Sequence, residues 1–231
     1  MLLIRLSGHS CAGKTRLVNA LPKYGITLPK VLRYTSRAPR PEEIEGEDYF
    51  FRSREYIEAL PGKDFLKGPV RNMLQAFDLN AIANLLGNHT GVIIEIYPGL
   101  WPELVSRLRI RLGNNLKTAS VFMTAVDPER IRQFKKKDEI AGFISSEVYK
   151  MLLFRNKDEI EDIRIRAYSA ALEITGALSP QGRKEYDRII FSAPEGPDGE
   201  DEWTRGPEPV GQALIALNKF REFLYEFEKP Y

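Results

Sequence analysis

Leu2-Leu3-Ile4-Arg5-Leu6-Ser7-Gly8-His9-Ser10-Cys11-Ala12-Gly13-Lys14-Thr15 is the stretch whose reading decides the fold. Positions 2–6 form a short apolar run, read as a buried strand. Gly8 to Thr15 then matches the pattern Gly-x4-Gly-Lys-Ser/Thr at every fixed position. The glycines allow a tight loop whose backbone N–H groups turn inward toward phosphate oxygens. A helix over 14–21 aims the positive end of its dipole at the same anion. Lys14 suits the outer phosphates of a nucleotide as a point charge, and the Thr15 hydroxyl suits Mg2+. Gly8, Ser10, Cys11, Ala12, Gly13, Lys14 and Thr15 are therefore the candidate nucleotide-binding residues. A chance glycine-rich turn is the competing reading, and the strand before the loop with the helix after it argues against that. Cys11 reads as a small residue that fits. The alternative is a thiol whose oxidation blocks the loop.

Outward from the loop, further strands are predicted at 91–97, 119–124 and 188–192. Helices are predicted at 80–86, 101–108 and 128–136. Gly91-Val92-Ile93-Ile94-Glu95-Ile96-Tyr97 is apolar almost throughout, as in a parallel strand covered on both faces. Strands alternating with helices predict a three-layer α/β sandwich around a central parallel sheet. The stretch 135–174 is charged and mostly helical. The stretch 193–209 is acidic and rich in Pro and Gly, and predicts an exposed loop around Trp203. A closing amphipathic helix over 210–228 is predicted to bury Leu214, Leu217, Phe220, Leu224 and Phe227.

A length of 231 residues suits one core with an inserted mobile region. Apolar residues at 43% and charged residues at 29% are the balance of an ordinary soluble protein. A net charge of +2 gives no general field toward nucleic acid or a membrane, so neither is expected as a partner. One cysteine rules out an internal disulfide. No stretch approaches the roughly 20 apolar residues of a membrane span. The run 1–6 is too short for a signal peptide and passes straight into the glycine-rich loop, so a cytoplasmic location is expected. His9 and His89 read as ordinary polar residues, and no spacing suggests a structural metal.

A second anion site is suggested by Thr35-Ser36-Arg37-Ala38-Pro39-Arg40-Pro41-Glu42-Glu43-Ile44-Glu45-Gly46-Glu47-Asp48-Tyr49-Phe50-Phe51. Two arginines three apart between prolines suit a stiff clamp for a phosphate dianion. A solvated basic turn paired with nearby glutamates is the competing reading. This segment resembles guanylate kinases, which carry Thr-Thr-Arg-x-Pro-Arg-x-Gly-Glu-x-x-Gly-x-x-Tyr-x-Phe at this distance from the phosphate loop. It follows that pattern through Arg37, Pro39, Arg40, Glu43, Gly46, Tyr49 and Phe51. The resemblance implies that Arg37, Arg40 and Tyr49 hold the phosphate of an acceptor nucleotide.

The resemblance extends to Arg155-Asn156-Lys157-Asp158-Glu159-Ile160-Glu161-Asp162-Ile163-Arg164-Ile165-Arg166. In the family's lid, an arginine and another eleven residues later close over the ATP phosphates, which assigns that part to Arg155 and Arg166. A solvated charged helix is the competing reading. Lys135-Lys136-Lys137 offers another source of lid charge, with roughly eighteen residues between it and Arg155. Glu95 stands where the family has an acidic residue at a strand end, and it is a candidate for Mg2+ through water and for the acceptor. The implied fold is the P-loop kinase fold with inserted acceptor-binding and helical lid regions. Its core would be 1–32, 80–134 and 186–231, its acceptor-binding region 33–79, and its lid with an insertion 135–185.

The departures gather where the family recognises the base. Its serine before the clamp is Arg33, and its glutamate falls at Lys67. Its Tyr-Tyr-Gly-Thr/Ser motif falls near Leu74-Gln75-Ala76-Phe77-Asp78, and its second strand-end aspartate is Tyr97. Gln75, Asp78 and Tyr97 remain acceptor candidates, and Ser192 stands where an asparagine would touch adenine. The resemblance thus implies an ATP- and Mg2+-dependent nucleoside monophosphate kinase for GMP, dGMP or a modified nucleotide, as a monomer or homodimer. Alternatives are a kinase for a non-nucleotide sugar phosphate such as ribose 1,5-bisphosphate, and a phosphopeptide-binding module of the same build.

Overall fold

The computed structural model describes residues 1–40, 42–197 and 199–228. Pro41 of the clamp, Asp198 of the acidic stretch and the last three positions assigned to the core, 229–231, lie outside the described residues. In chain order the elements begin β1 (Leu2–Gly8), α1 (Lys14–Ala20), β2 (Tyr34–Thr35), β3 (Phe50–Phe51), α2 (Arg54–Ala59), β4 (Phe65–Val70) and β5 (Met73–Asp78). They continue α3 (Leu79–Asn88), β6 (Gly91–Ile94), α4 (Trp101–Leu112), β7 (Lys117–Thr124) and α5 (Pro128–Ile131). The last are α6 (Lys137–Arg155), α7 (Ile160–Leu178), α8 (Gly182–Glu185), β8 (Arg188–Phe191) and α9 (Gly211–Glu228). Two compact units share the chain, Met1–Arg5 with Leu28–Ala119, and Leu6–Thr27 with Ser120–Tyr231.

In the first unit, the start of β1 pairs in parallel with β6, Leu2 opposite Gly91 and Arg5 opposite Ile94. The predicted strand 91–97 stops at Ile94, because the next carbonyl, of Glu95, turns to accept from Arg33 Nη1 at 2.9 Å and Pro98 follows. A second sheet runs β3-β2-β5-β4, with the β4–β5 and β2–β5 pairs antiparallel. The sequence predicts no strands here, since Gly68-Pro69 interrupts the strand signal of β4. The hairpin nevertheless closes at Arg71, which adopts a left-handed φ of 56°. Behind it, Leu66, Phe77, Ile82, Val92, Ile94 and Leu104 form one buried cluster. Asp78 starts α3 by accepting from the N–H groups of Asn80 and Ala81, the local bond that favours aspartate at a helix start.

In the second unit, the end of β7 pairs in parallel with β8, Val121 opposite Arg188 through Thr124 opposite Phe191. The 19-residue helices α6 and α7 bury Ile144, Val148, Leu152, Ile163, Ala170 and Ile174 in a shared cluster. Asn156 ends α6 in the left-handed conformation that asparagine tolerates. The helix predicted over 128–136 stops at Ile131. The chain turns there so that the Phe134 ring packs 4.9 Å from that of Phe143. α9 buries Leu217, Phe220 and Leu224 as predicted. Phe223 joins them, while Leu214 and Phe227 are only half-buried.

The stretch 193–209 departs most from its reading. Ala193, Gly196, Asp201, Trp203 and Pro209 are buried, so the described residues of the stretch are folded and not a free loop. The predicted acceptor region lies within the first unit and the predicted lid within the second, and the predicted core is divided between the two. Among the described residues, no helix is long and apolar enough to cross a membrane. Parallel strands with interleaved helices make this an α/β fold.

Candidate active site

The phosphate loop belongs to the second unit. Gly8 has φ 143° and Gly13 φ 78°, which explains why glycine occupies both. A side chain at Gly8 would overlap the Met123 carbonyl, and one at Gly13 would stand 2.7 Å from Trp203 Nε1. Cys11 also has a positive φ, 66°. Lys14 Nζ donates to the carbonyls of Gly8 at 2.8 Å and His9 at 2.9 Å, so its ammonium curls over the loop that precedes it. Thr15 is exposed in the first turn of α1, and no side chain caps that helix. The site thus offers an ammonium, a hydroxyl and an uncapped helix start, a donor set suited to phosphate.

His9, read from sequence as an ordinary polar residue, is fully buried and braces the loop. The Ala125 N–H donates to its Nε2 at 3.0 Å, so Nε2 is an acceptor. Nδ1 lies 2.6 Å from the Ser10 carbonyl and must carry the proton. Cys11 is 2% exposed, and burial pushes its thiol up to about 12, although Arg155 pulls the other way. That favours the small-residue reading, since the thiolate is the reactive form.

The two arginines predicted for the lid do come together. Arg155 ends α6 and Arg166 lies on α7, each 8% exposed; Arg155 donates to the Asp158 carboxylate, and Arg166 lies 3.6 Å from it. Arg155 also lies 3.5 Å from Glu195. By contrast, Lys135, Lys136 and Lys137 are solvent-exposed, and Arg164 pairs with Glu161 on the surface of its own helix. Ser192 has no exposed surface. Its hydroxyl bonds the Ala193 carbonyl and packs behind Gly13, which leaves no face to meet an adenine.

The clamp belongs to the first unit. Arg37 Nη2 donates to Glu43 Oε1 at 2.6 Å, and Arg40 donates to the same carboxylate through its backbone N–H at 2.8 Å and its guanidinium at 3.4 Å. Glu43, present in the sequence pattern but not singled out, therefore organises both arginines. Burial alone would raise its carboxyl, but the Arg40 N–H, the Arg37 bond and both positive charges outweigh that and hold it below the ordinary glutamate value. Arg37 also lies over the rings of Tyr49 at 5.4 Å and Phe51 at 5.7 Å.

Arg33, noticed only as a departure, is 9% exposed and donates to the Tyr49 hydroxyl at 3.1 Å. With that oxygen accepting, the phenolic proton is left to point elsewhere. Glu95 lies 3.5 Å from Lys30 and 4.0 Å from Arg33, so cations of its own unit already surround it.

The remaining acceptor candidates carry other bonds. Asp78 caps α3, as described. Lys67 donates to the carbonyls of Glu58 at 2.7 Å and Leu60 at 2.8 Å and closes the end of α2. Gln75 is 7% exposed, in register with Thr35 and Gly68 across its sheet. Tyr97 is exposed and leads into the turn Pro98–Leu100.

No family model matches the chain. The guanylate kinase of Nitrosospira multiformis is 53% identical over 193 residues, covering 81% of this chain and 76% of that protein. The guanylate kinase of Cereibacter sphaeroides is 30% identical over 185 residues, covering 70% of this chain and 82% of that protein. A crystal structure of guanylate kinase from Anaplasma phagocytophilum aligns with a TM-score of 0.48 at 18% identity, over 83% of this chain and 76% of that one, too loosely to add weight.

Proposed function

The chain belongs to the guanylate kinase family, and from that premise we propose that it transfers the γ-phosphoryl group of ATP to a guanine nucleoside monophosphate, releasing ADP and the nucleoside diphosphate. The observation that carries the reading is the complete loop from Gly8 to Thr15, with Lys14 held by loop carbonyls. An acceptor phosphate oxygen is already anionic, so it needs no side-chain base. It bonds the γ-phosphorus as the bond from that phosphorus to the β-phosphate oxygen breaks. What remains for the protein is positioning and charge.

In this reading, 33–79 receives the acceptor and 135–185 forms the lid on a core of 1–32, 80–134 and 186–231. Lys14 lies against the outer phosphates, and Arg155 and Arg166 neutralise charge that develops on them. Arg37, Arg40 and Tyr49 grip the acceptor phosphate, with Arg33 fixing the direction of the Tyr49 proton. Thr15 fits magnesium, because its hydroxyl is exposed beside Lys14. Among the described residues, no group of three or more His, Cys, Asp or Glu side chains forms a cage. Thr15 would hold such an ion, which would supply positive charge against the transferring phosphate. Glu95, between Lys30 and Arg33, is assigned to holding those cations and not to the ion.

The test is release of ADP from Mg-ATP with GMP, dGMP, IMP, AMP, CMP, UMP and dTMP in turn, with Lys14→Ala as the blank. Turnover with GMP or dGMP is expected. Because Lys67 and Asp78 are committed to capping, the preference for GMP over IMP is expected to stay below about tenfold. No acceptor-stimulated turnover in the presence of bound ATP would overturn the reading.

A further inference from the structure

The acidic stretch after β8 touches the phosphate loop directly. The Glu195 N–H donates to the Cys11 carbonyl at 3.0 Å, tying the stretch to the loop backbone. Trp203 is 5% exposed, and its Nε1–H donates to the Ala193 carbonyl at 3.1 Å. In that position its ring edge lies over Gly13, so close that a methyl group there would stand 2.7 Å from Nε1 and 2.9 Å from Cε2. Gly13 is the residue whose left-handed conformation turns the loop into α1.

Asp201 builds the segment that delivers this indole. Its carboxylate is 5% exposed and accepts from the N–H groups of Gly196 at 2.8 Å, Trp203 at 2.9 Å and Thr204 at 2.9 Å, and from the Thr204 hydroxyl at 2.9 Å. Arg16 of α1 lies 3.8 Å from the same carboxylate. A buried carboxylate is stable only when so satisfied. Asp201 therefore joins the segment to itself and to the helix that follows the loop.

We propose that the described residues 193–197 and 199–204 form a strap that fixes the phosphate loop from behind. Trp203 is a positioning residue for the ATP phosphates, and Asp201 is the residue that shapes the strap. This rests on the nucleotide reading of the loop but not on the identity of the acceptor. Loss of the indole leaves Gly13 free to relax, which degrades the alignment of the loop N–H groups and Lys14 with the phosphates. The acceptor clamp has no part in that effect.

The experiment measures ATP affinity by direct titration, with KM for ATP and for GMP determined separately, in Trp203→Ala, Trp203→Phe and Asp201→Asn. Circular dichroism checks each fold. In Trp203→Ala the dissociation constant and KM for ATP are expected to rise about tenfold, while KM for GMP stays within about twofold. Trp203→Phe is expected to restore part of the loss, since a smaller ring still covers Gly13. In a Trp101→Phe background, where Trp203 is the remaining indole, its emission is expected to shift on addition of Mg-ATP and not of GMP.

Folded variants with unchanged ATP affinity would overturn the proposal. Equal rises in both KM values would also overturn it, by making the strap merely structural. Binding of ATP without transfer to any monophosphate would defeat the kinase reading instead, while the affinity series would still decide the strap.

Discussion

Lys14 and Arg37 are both cations assigned to phosphate, yet they rest on different partners. The ammonium of Lys14 sits on two neutral carbonyls of its own loop, while the guanidinium of Arg37 sits on the Glu43 carboxylate. An arriving phosphate replaces bonds from the Lys14 ammonium to neutral carbonyls with bonds from the same ammonium to an anion. Around Arg37 it must compete with a carboxylate already in place, so the net gain is smaller. The loop is thus poised for an anion, and the clamp is partly neutralised by its own glutamate. Charge count alone, two arginines against one lysine, would have ranked them the other way.

The largest expected effect tests the poised side. Lys14→Ala should lower kcat by about a thousandfold, the scale seen when a fixed donor to developing charge is removed. Rapid-quench measurement of the transfer step would show it. Arg37→Ala should be milder and should fall on the acceptor, raising its KM by about 10- to 100-fold, as for a lost hydrogen bond between charged groups. Steady-state kinetics with the acceptor varied reads this directly. Equal losses in kcat for the two variants would break the comparison.

How far each side was legible in sequence follows from how local its bonds are. The loop was readable because Gly8, Gly13, Lys14 and Thr15 act within eight consecutive residues, and the strand and helix around them formed at the expected places. The clamp was readable only through resemblance, because Glu43 serves either a clamp or an ordinary salt-bridged turn. Arg33 and Trp203 were missed for a different reason, since their partners are remote. Arg33 meets Tyr49 and the Glu95 carbonyl, and Trp203 meets Gly13. The Pro- and Gly-rich composition of 193–209 correctly predicted irregular backbone. It said nothing about the buried aspartate that organises that backbone.

Replacing Glu43 by Gln sharpens the comparison with a smaller effect. With the competing charge gone, KM for the acceptor should fall by about twofold to threefold. A rise would show that Glu43 organises the arginines more than it competes for them. The same variant has a pH signature. The folded state holds the Glu43 carboxyl below its ordinary value, so at mildly acidic pH the unfolded chain binds the proton first. Its contribution to stability is therefore complete above the ordinary glutamate range and is lost as pH falls through the lowered folded value. Thermal melts from neutral to acidic pH should show a shallower acid-side fall in Glu43→Gln than in the parent chain.

The smallest expected effect concerns Cys11, in the loop that holds Lys14. A loop kept rigid by His9 and by buried packing should shield its thiol, whereas a mobile loop would expose it. Burial raises the thiol from 9.0 to about 12, despite the nearby Arg155 guanidinium. Near pH 8 that lowers the thiolate fraction roughly a thousandfold relative to an unperturbed cysteine, and the thiolate is the species that attacks. Iodoacetamide should therefore leave the native protein essentially unlabelled over an hour, as read by intact mass, and should label it fully in denaturant. Cys11→Ser should keep kcat within about twofold, because the position needs a small side chain that tolerates a φ of 66° and not a thiol. Fast labelling of the native protein, slowed by Mg-ATP, would mean that the loop opens in solution and closes on the nucleotide. The poised state inferred for Lys14 would then be a product of ligand binding and not a property of the free chain.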